Sequence, residues 1–214
     1  MQSHITIIDY GINNIKSIQR AINEIGYDVK LAANPDEIKK AEKLILPGVG
    51  SFENGMNNLS NVDGMIEAIY EFVKSGKLVI AICLGMQMLF DTSEENGLHK
   101  GLGIISGSVR KIPIKKENGG LRKIPHVQWN KLKAVPDLQR WENTYLKNVK
   151  HNDYFYFVHS YVSIPNDKKY LIATSEYEGI DLPAVINKEN ITAFQFHPEK
   201  SGQSGLIILE NFVN

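Results

Sequence analysis

The chain is poor in cysteine and tryptophan and has no excess of charge of either sign. Its 214 residues include one cysteine, Cys83, and two tryptophans. A single cysteine excludes an internal disulfide framework and any zinc site built from several cysteines. Lysine plus arginine number 24, and aspartate plus glutamate also number 24. The basic surface typical of nucleic-acid-binding proteins is therefore not expected.

Long hydrophobic runs are also missing. The apolar run that includes Leu78–Cys83 is far too short to cross a bilayer. Residues Met1–Asp9 lack the basic segment and long apolar segment of a secretory signal peptide. We expect a soluble, cytoplasmic protein with neither a membrane nor a nucleic acid as partner. A content of 43% hydrophobic and 22% charged residues is typical of a globular domain, and the length fits a single domain over residues 1–214.

Residues 1–90 alternate between predicted strands and predicted helices. The predicted strands are His4–Asp9, Tyr27–Leu31, Leu44–Leu46 and Leu78–Ile82. A stripe of isoleucines at 15, 18, 22 and 25 predicts a first helix that ends at Gly26. A short second helix is predicted to start at Asn34–Asp36. A third is predicted to be capped by Asp63, with Met65, Ile69, Phe72 and Val73 on its core face. Apolar strands between helices indicate a parallel sheet that is covered on both faces.

The second half of the chain has a different pattern. Residues 101–120 are rich in glycine, lysine and β-branched residues, which indicates hairpins or a bent strand. Further predicted strands are Phe155–His159, Leu171–Ser175, Ala184–Asn187 and Ile191–Phe196, followed by a closing helix, Gly205–Val213. The sequence therefore predicts an α/β domain with a central, mostly parallel sheet and a β-rich, largely antiparallel C-terminal half.

Cys83 stands where a buried strand runs directly into a predicted helix. The flanking small residues Ala81 and Gly85 suit the sharp turn of a nucleophile elbow. At such a position the amide of the next residue, Leu84, is free to point at a developing oxyanion. The alternative is that Cys83 is a buried structural cysteine, which is a common fate of a lone cysteine.

His197 and Glu199 lie at the end of a predicted strand, separated by one proline. An imidazole and a carboxylate at this spacing can serve one site, with His197 as general base for Cys83 and Glu199 orienting the imidazole. A metal site is the rival interpretation, but no further histidine or cysteine cluster supports it. The remaining histidines have no carboxylate two residues on and are expected to be structural: His4, His99, His126, His151 and His159.

These segments together resemble the class I, triad-type glutamine amidotransferases. Cys83–Gln87 and His197–Glu199 carry that resemblance. Five further segments are similar to the glutaminase subunits of imidazole glycerol phosphate synthases: Asp9–Gly11, Pro47–Phe52, Pro125–Asn130, Phe157–Tyr161 and Phe196–Ser201. They come in the family's order and extend over nearly the whole chain. The implied fold is flavodoxin-like.

The resemblance implies a Cys-His-Glu triad that hydrolyses glutamine to glutamate and ammonia. Cys83 would attack the side-chain amide, His197 would relay the proton, and Glu199 would complete the triad. Residues Pro47–Gly50 would form the oxyanion strand, with an N–H near Val49 and Gly50 complementing that of Leu84. The resemblance implies no cofactor and no metal.

The resemblance also implies which residues surround the glutamine substrate. Besides Gly50, the matching positions are Gln87, Glu95, Ser160 and Tyr161. Glu95 would pair with the α-amino group of glutamine. The alternative for Glu95 is a solvated carboxylate at a helix end.

The implied partner is a separate cyclase subunit with a (β/α)8 barrel, forming a heterodimer. It would receive the ammonia and make imidazole glycerol phosphate and aminoimidazole carboxamide ribonucleotide in histidine biosynthesis. We expect the lone chain to hydrolyse glutamine poorly, because the glycine-rich strand Gly48–Gly50 needs a peptide flip to complete the oxyanion hole.

Four positions depart from the family's pattern: Asn13, Ala81 and Gln128 stand where glycine is usual, and Ile15 stands where leucine is common. Asparagine tolerates left-handed backbone, so we expect Asn13 to keep the same turn. Asn13 and Gln128 lie in loops expected near the partner, which keeps an alternative open: a paralogous glutaminase that supplies ammonia for sugar amination in surface polysaccharides. A further alternative is a non-catalytic subunit, which the intact triad does not favour. Another is a papain-like protease, which the short His197–Glu199 spacing does not favour.

Overall fold

The computed structural model describes residues 5–135 and 141–214. His4, the predicted start of the first strand, lies outside the described residues. The helices are α1 (Ile15–Glu24), α2 (Pro35–Lys39), α3 (Phe52–Ser60), α4 (Met65–Lys74), α5 (Leu84–Met88) and α6 (Gly202–Val213), with 3-10 turns at Lys168–Tyr170 and Pro198–Lys200.

The strands are β1 (Ile5–Ile8), β2 (Val29–Ala32), β3 (Lys43–Leu46), β4 (Val79–Ile82), β5 (Phe90–Ser93), β6 (His99–Lys100), β7 (Ile105–Lys111), β8 (His126–Lys131), β9 (Lys133–Ala134), β10 (Tyr154–His159), β11 (Tyr161–Pro165), β12 (Leu171–Tyr177), β13 (Ile180–Lys188) and β14 (Ile191–Phe194). The main sheet has the order β2-β1-β3-β4-β14-β13-β12-β9. Its first five strands are parallel, and its last four form an antiparallel run that begins at β14.

Helices cover both faces of the parallel half because its strands are apolar on both faces. On one face, Ile5 and Ile7 of β1 pack with Ile18 and Ile22 of α1 and with residues of α6. On the other face, Ile8 of β1 packs with residues of α2 to α5. This two-sided burial is the arrangement predicted from the sequence, and the α/β class is confirmed.

Two smaller sheets stand beside the antiparallel half. Strands β8 and β10 pair with each other, and β6, β5, β7 and β11 form a four-stranded sheet. Within residues 101–120, the strand β7 is paired with β11, and a bridge between Lys115 and Leu121 closes a small hairpin. A hairpin, one of the two alternatives expected for this region, is therefore present.

The structure corrects two local expectations and adds one helix. Helix α4 begins at Met65 with Gly64, at φ 74°, in the N-cap position, so the predicted cap at Asp63 was wrong. Asn13 is not among the residues with positive φ, whereas Gly11 has φ 85°, so the left-handed backbone lies two residues earlier than expected. Helix α3 was not predicted. Among the described residues, no helix has the length and apolar character needed to cross a membrane.

Candidate active site

Cys83 occupies a strained turn between β4 and α5. Its backbone has φ 53° and ψ −108°, and it is the N-cap residue of α5. The turn is fixed by a hydrogen bond from the Cys83 N–H to the Phe194 carbonyl at 2.7 Å. Gly85 is required here because a Cβ atom would lie 2.1 Å from the Leu46 carbonyl oxygen. A non-glycine residue with positive φ is a recurrent feature of functional sites.

His197 lies three residues beyond the end of β14, a strand that is hydrogen-bonded to β4. Its Nδ1 atom lies 2.7 Å from Glu199 Oε1, and both side chains are almost fully buried. Burial lowers the pKa of His197, but negative charge at Cys83 and the Glu199 carboxylate outweigh it and raise the pKa to about 10. The imidazole Nε2 is buried and makes no hydrogen bond, which leaves it available to a reacting group.

Asn14 is a member of this cluster that the sequence analysis did not single out. It is the N-cap residue of α1, yet its side chain makes no cap hydrogen bond. Instead, Asn14 Nδ2 donates to Glu199 Oε1 at 2.5 Å and lies 3.5 Å from His197 Nδ1. Its residue type at the start of a predicted helix would have indicated a cap, not this contact.

The segment Pro47–Gly50 lies against the start of α5. The Leu84 N–H donates to the Gly48 carbonyl at 3.3 Å, so this amide is engaged. A Cβ atom on Gly48 would lie 2.5 Å from the Gly85 nitrogen, which explains the glycine at this position. Gly50 has φ 100° with open space around its Cα. Close packing therefore excludes a side chain at Gly48, whereas at Gly50 it is the positive φ that favours glycine.

A cavity of about 280 Å³ opens beside Cys83. Nine of the residues predicted for the site line it: Val49, Gly50, Cys83, Leu84, Gln87, Glu95, Ser160, Tyr161 and His197. Glu199 lies behind His197 and does not line it. Pro125, Val158 and His159 also line the cavity and were not predicted. Two surface clefts of about 530 Å³ lie elsewhere and include none of the predicted site residues.

The predicted glutamine-binding residues are held by specific contacts. Glu95 Oε2 accepts a hydrogen bond of 2.6 Å from the Phe52 N–H, the first residue of α3. Gln87 Nε2 donates to the Tyr161 carbonyl at 3.1 Å and to Gln195 Oε1 at 3.3 Å. Burial raises the pKa of the Tyr161 phenol, and the nearby carboxylates of Glu95 and Glu94 raise it further.

Gln195 links the cavity wall to Cys83. Its Nε2 lies 3.8 Å from Cys83 Sγ, at the length of a hydrogen bond to sulfur. Gln195 stands two residues before His197 and is fully buried, a position that sequence alone would assign to the core. Within residues 5–135 and 141–214, no group of three or more histidine, cysteine or acidic side chains could hold a metal ion.

Comparisons with known proteins identify the family to which the chain is similar. The family described as "Glutamine amidotransferase class-I" matches residues 6–214. The chain is 44% identical over 211 residues to "Imidazole glycerol phosphate synthase subunit HisH 1" of Legionella pneumophila (strain Lens), covering 99% of each chain. It is 47% identical over 208 residues to the HisH subunit of Caldanaerobacter subterraneus subsp. tengcongensis, covering 97% of this chain and 96% of that one.

Solved structures show the same fold at low sequence identity. PurLQS from Thermotoga maritima superimposes with a TM-score of 0.69 at 16% identity, covering 100% of this chain and 99% of that chain. A crystal structure of a glutamine amidotransferase also has a TM-score of 0.69, at 15% identity and 97% coverage of both chains. The family match extends over almost the entire sequence, and the elbow at Cys83 stands within it. The chain belongs to the class I glutamine amidotransferase family.

Proposed function

We propose that the chain is the glutaminase subunit of imidazole glycerol phosphate synthase and acts in histidine biosynthesis. Relatives that carry this subunit name match at 44% and 47% identity over nearly their full length. The observation that carries the chemistry is the cluster of Cys83, His197 and Glu199 beside a 280 Å³ cavity.

In the proposed reaction, Cys83 Sγ attacks the side-chain amide carbon of glutamine. The carbon–nitrogen bond breaks, the nitrogen takes a proton from His197 Nε2 and leaves as ammonia, and a glutamyl thioester forms. Water, deprotonated by the same imidazole, then attacks the thioester carbon and releases glutamate and the thiol. Glu199 holds Nδ1 and stabilises the imidazolium, because its Oε1 lies 2.7 Å from that nitrogen.

The oxyanion of each tetrahedral intermediate needs N–H donors, which we assign to Leu84 and the peptide near Val49 and Gly50. The Leu84 N–H donates instead to the Gly48 carbonyl at 3.3 Å in this structure. A donor already occupied in this way is not free for an oxyanion. This contact supports the proposal that the lone chain is a weak glutaminase and that a partner must displace the Gly48 carbonyl.

We further propose that the partner is a (β/α)8-barrel cyclase subunit, which binds this chain as a heterodimer in the cytoplasm. The relatives are named as one subunit of a synthase, which supports a heteromeric assembly. Ammonia that escaped to water would be protonated, so a subunit that consumes it must dock close to the cavity.

The test is glutamate release from glutamine by the chain alone and with the histidine-pathway cyclase, in the presence of the cyclase's nucleotide substrate. We expect strong stimulation by cyclase plus nucleotide, and no turnover by Cys83→Ala in the same complex. High activity of the lone chain would contradict the partner-dependent oxyanion hole.

No stimulation, together with labelling of Cys83 by a glutamine analogue, would identify a glutaminase that serves a different synthase. Turnover by Cys83→Ala near the wild-type rate would remove Cys83 as the nucleophile.

A further inference from the structure

Two buried histidines lie between the cavity and the exposed face of the β8–β10 pair. His126 is fully buried and His159 is 7% exposed. They stand directly opposite each other in the antiparallel register of β8 and β10. His126 Nδ1 and His159 Nε2 are 3.0 Å apart. Neither histidine belongs to the proposed triad, and His159 lines the cavity.

The contacts fix which nitrogen of each ring carries the proton. His159 Nδ1 lies 2.8 Å from the Tyr161 carbonyl oxygen, which can only accept, so Nδ1 is the donor. His159 Nε2 is then the acceptor in a neutral ring, and His126 Nδ1 must donate to it. His126 Nε2 in turn accepts from Asn130 Nδ2 at 3.1 Å.

The surroundings keep both rings neutral. His126 is stacked between the rings of Phe157 and Tyr177, at centroid distances of 5.0 and 4.0 Å. Burial lowers the pKa of His126 to about 3, with a further contribution from His159. Burial also lowers the pKa of His159 to about 4. A proton added to His159 Nε2 would set two N–H donors against each other at the 3.0 Å contact, and a proton added to His126 Nε2 would oppose the Asn130 amide donor at 3.1 Å.

The chain of hydrogen bonds ends on the wall of the glutamine cavity. The Tyr161 carbonyl accepts from His159 Nδ1 and also from Gln87 Nε2 at 3.1 Å. Gln87 continues to Gln195, and Gln195 reaches Cys83 Sγ. At its other end, Asn130 accepts from Gln128 on the exposed face, at 2.6 Å. A continuous series of hydrogen bonds therefore runs from the surface of β8 to the elbow, and its donor-to-acceptor direction reverses at the Tyr161 carbonyl, which accepts from both sides.

We propose that His126 and His159 are positioning residues that hold the Tyr161 carbonyl, and through it the Ser160–Tyr161 wall and Gln87, in the geometry that binds glutamine. This inference deepens the proposed glutaminase function and rests on it. Its central element is the donor on His126 Nδ1, because without it His159 Nε2 is buried with no partner and the ring is free to turn away from Tyr161.

A matched pair of variants tests the two hydrogen bonds of His126, to His159 and to Asn130, separately. Asparagine places an amide nitrogen at the δ position and keeps the donor to His159, whereas glutamine places its amide at the ε position and keeps only the bond to Asn130. Kinetics are measured in the complex with the cyclase and its nucleotide, beside the wild type, with the melting temperature of each variant.

We expect His126→Gln to raise the KM for glutamine about tenfold, the loss of roughly one hydrogen bond, with kcat changed less than about twofold. His126→Asn should restore most of the wild-type KM. A merely structural role would lower the melting temperature and the fraction of active enzyme in both variants, which reduces the apparent kcat and leaves KM unchanged.

An equal KM for the two variants, or a wild-type KM in both, would overturn the inference. If His126→Gln does not fold, the corresponding pair at His159 is used, because His159→Asn keeps a δ donor for Tyr161 and His159→Gln does not. A wild-type complex that releases no glutamate would overturn the proposed function, and the inference with it. If the wild-type complex turns over glutamine but the glutamine and asparagine variants have the same KM, only the inference is overturned.

Discussion

Asn14 and Glu199, which lie 185 residues apart in sequence, are joined by a hydrogen bond of 2.5 Å. The same Glu199 oxygen accepts from His197 Nδ1 at 2.7 Å. The loop that follows β1 is therefore attached directly to the carboxylate of the proposed triad. Any displacement of this loop moves Glu199, and with it the imidazole.

Asn14→Asp should lower kcat strongly, because it sets a second carboxylate against Glu199 in a buried place. Hydrogen bonds to charged groups contribute roughly 1.5–3 kcal/mol, which predicts a loss of about 10- to 100-fold. The measurement is glutaminase kcat in the complex. Asn13→Asp is the matched control, since it makes the same charge change at the exposed neighbouring residue. Equal losses in the two variants would contradict a specific role for Asn14.

Cys83→Ser should lower the pKa of His197, because the negative charge at Cys83 is the main influence that opposes burial in raising it to about 10. In the wild type the imidazolium persists from below pH 6.5 up to about pH 10, and its contribution to stability is lost as the pH rises through that interval. The check is a titration of the His197 ring nitrogens by nuclear magnetic resonance. An unchanged titration in Cys83→Ser would exclude the coupling.

Glu95→Gln should raise the KM for glutamine about tenfold or more while changing kcat little, because a charge-assisted contact to the substrate α-amino group is lost. The amide oxygen can still accept from the Phe52 N–H, so helix α3 should stay in place. Glu94→Gln is the control, since Glu94 accepts from the Lys111 N–H on the exposed side. A normal KM in Glu95→Gln would return Glu95 to a purely structural role.

The free energy of unfolding should decrease as the pH falls from 6.5 toward 4. His126 and His159 have pKa values lowered to about 3 and about 4 in the folded chain, so the unfolded chain binds more protons in this interval. Urea unfolding at pH 7 and pH 5 measures the difference. His126→Gln removes one of the two groups and should show a smaller difference than the wild type. An equal or larger difference would contradict the neutral pair.

The main elements and the elbow were predictable because they depend on local sequence. Ala81 and Gly85 around Cys83 predict a tight strand-to-helix turn, and the isoleucine stripe predicts α1 with its end at Gly26. Each of these sequence patterns lies within one turn or one strand of the residue whose structure it predicts. The positions of His197 and Glu199 followed in the same way from a strand end and a two-residue spacing.

The unpredicted parts depend on contacts between distant segments. Helix α3 has asparagine and glycine in its sequence, which disfavour a helix, and it is held by the buried side chains of Phe52 and Leu59 and by Glu95 at its first N–H. The pairing of His126 with His159 follows from the register of β8 and β10. The sequence of neither strand alone shows which residue of the other strand lies opposite.

Strand β14 carries the chain to His197, and it lies in the middle of the main sheet between β4 and β13 although it follows them in sequence. Contacts such as that of Gln195 with Cys83, 112 residues apart, can form only after this strand has been inserted. A ribosome-bound chain that ends before β14 therefore holds Cys83 but not His197. If Cys83 and His197 act as proposed, glutamine hydrolysis begins only after synthesis has passed this strand, and incomplete chains release no ammonia.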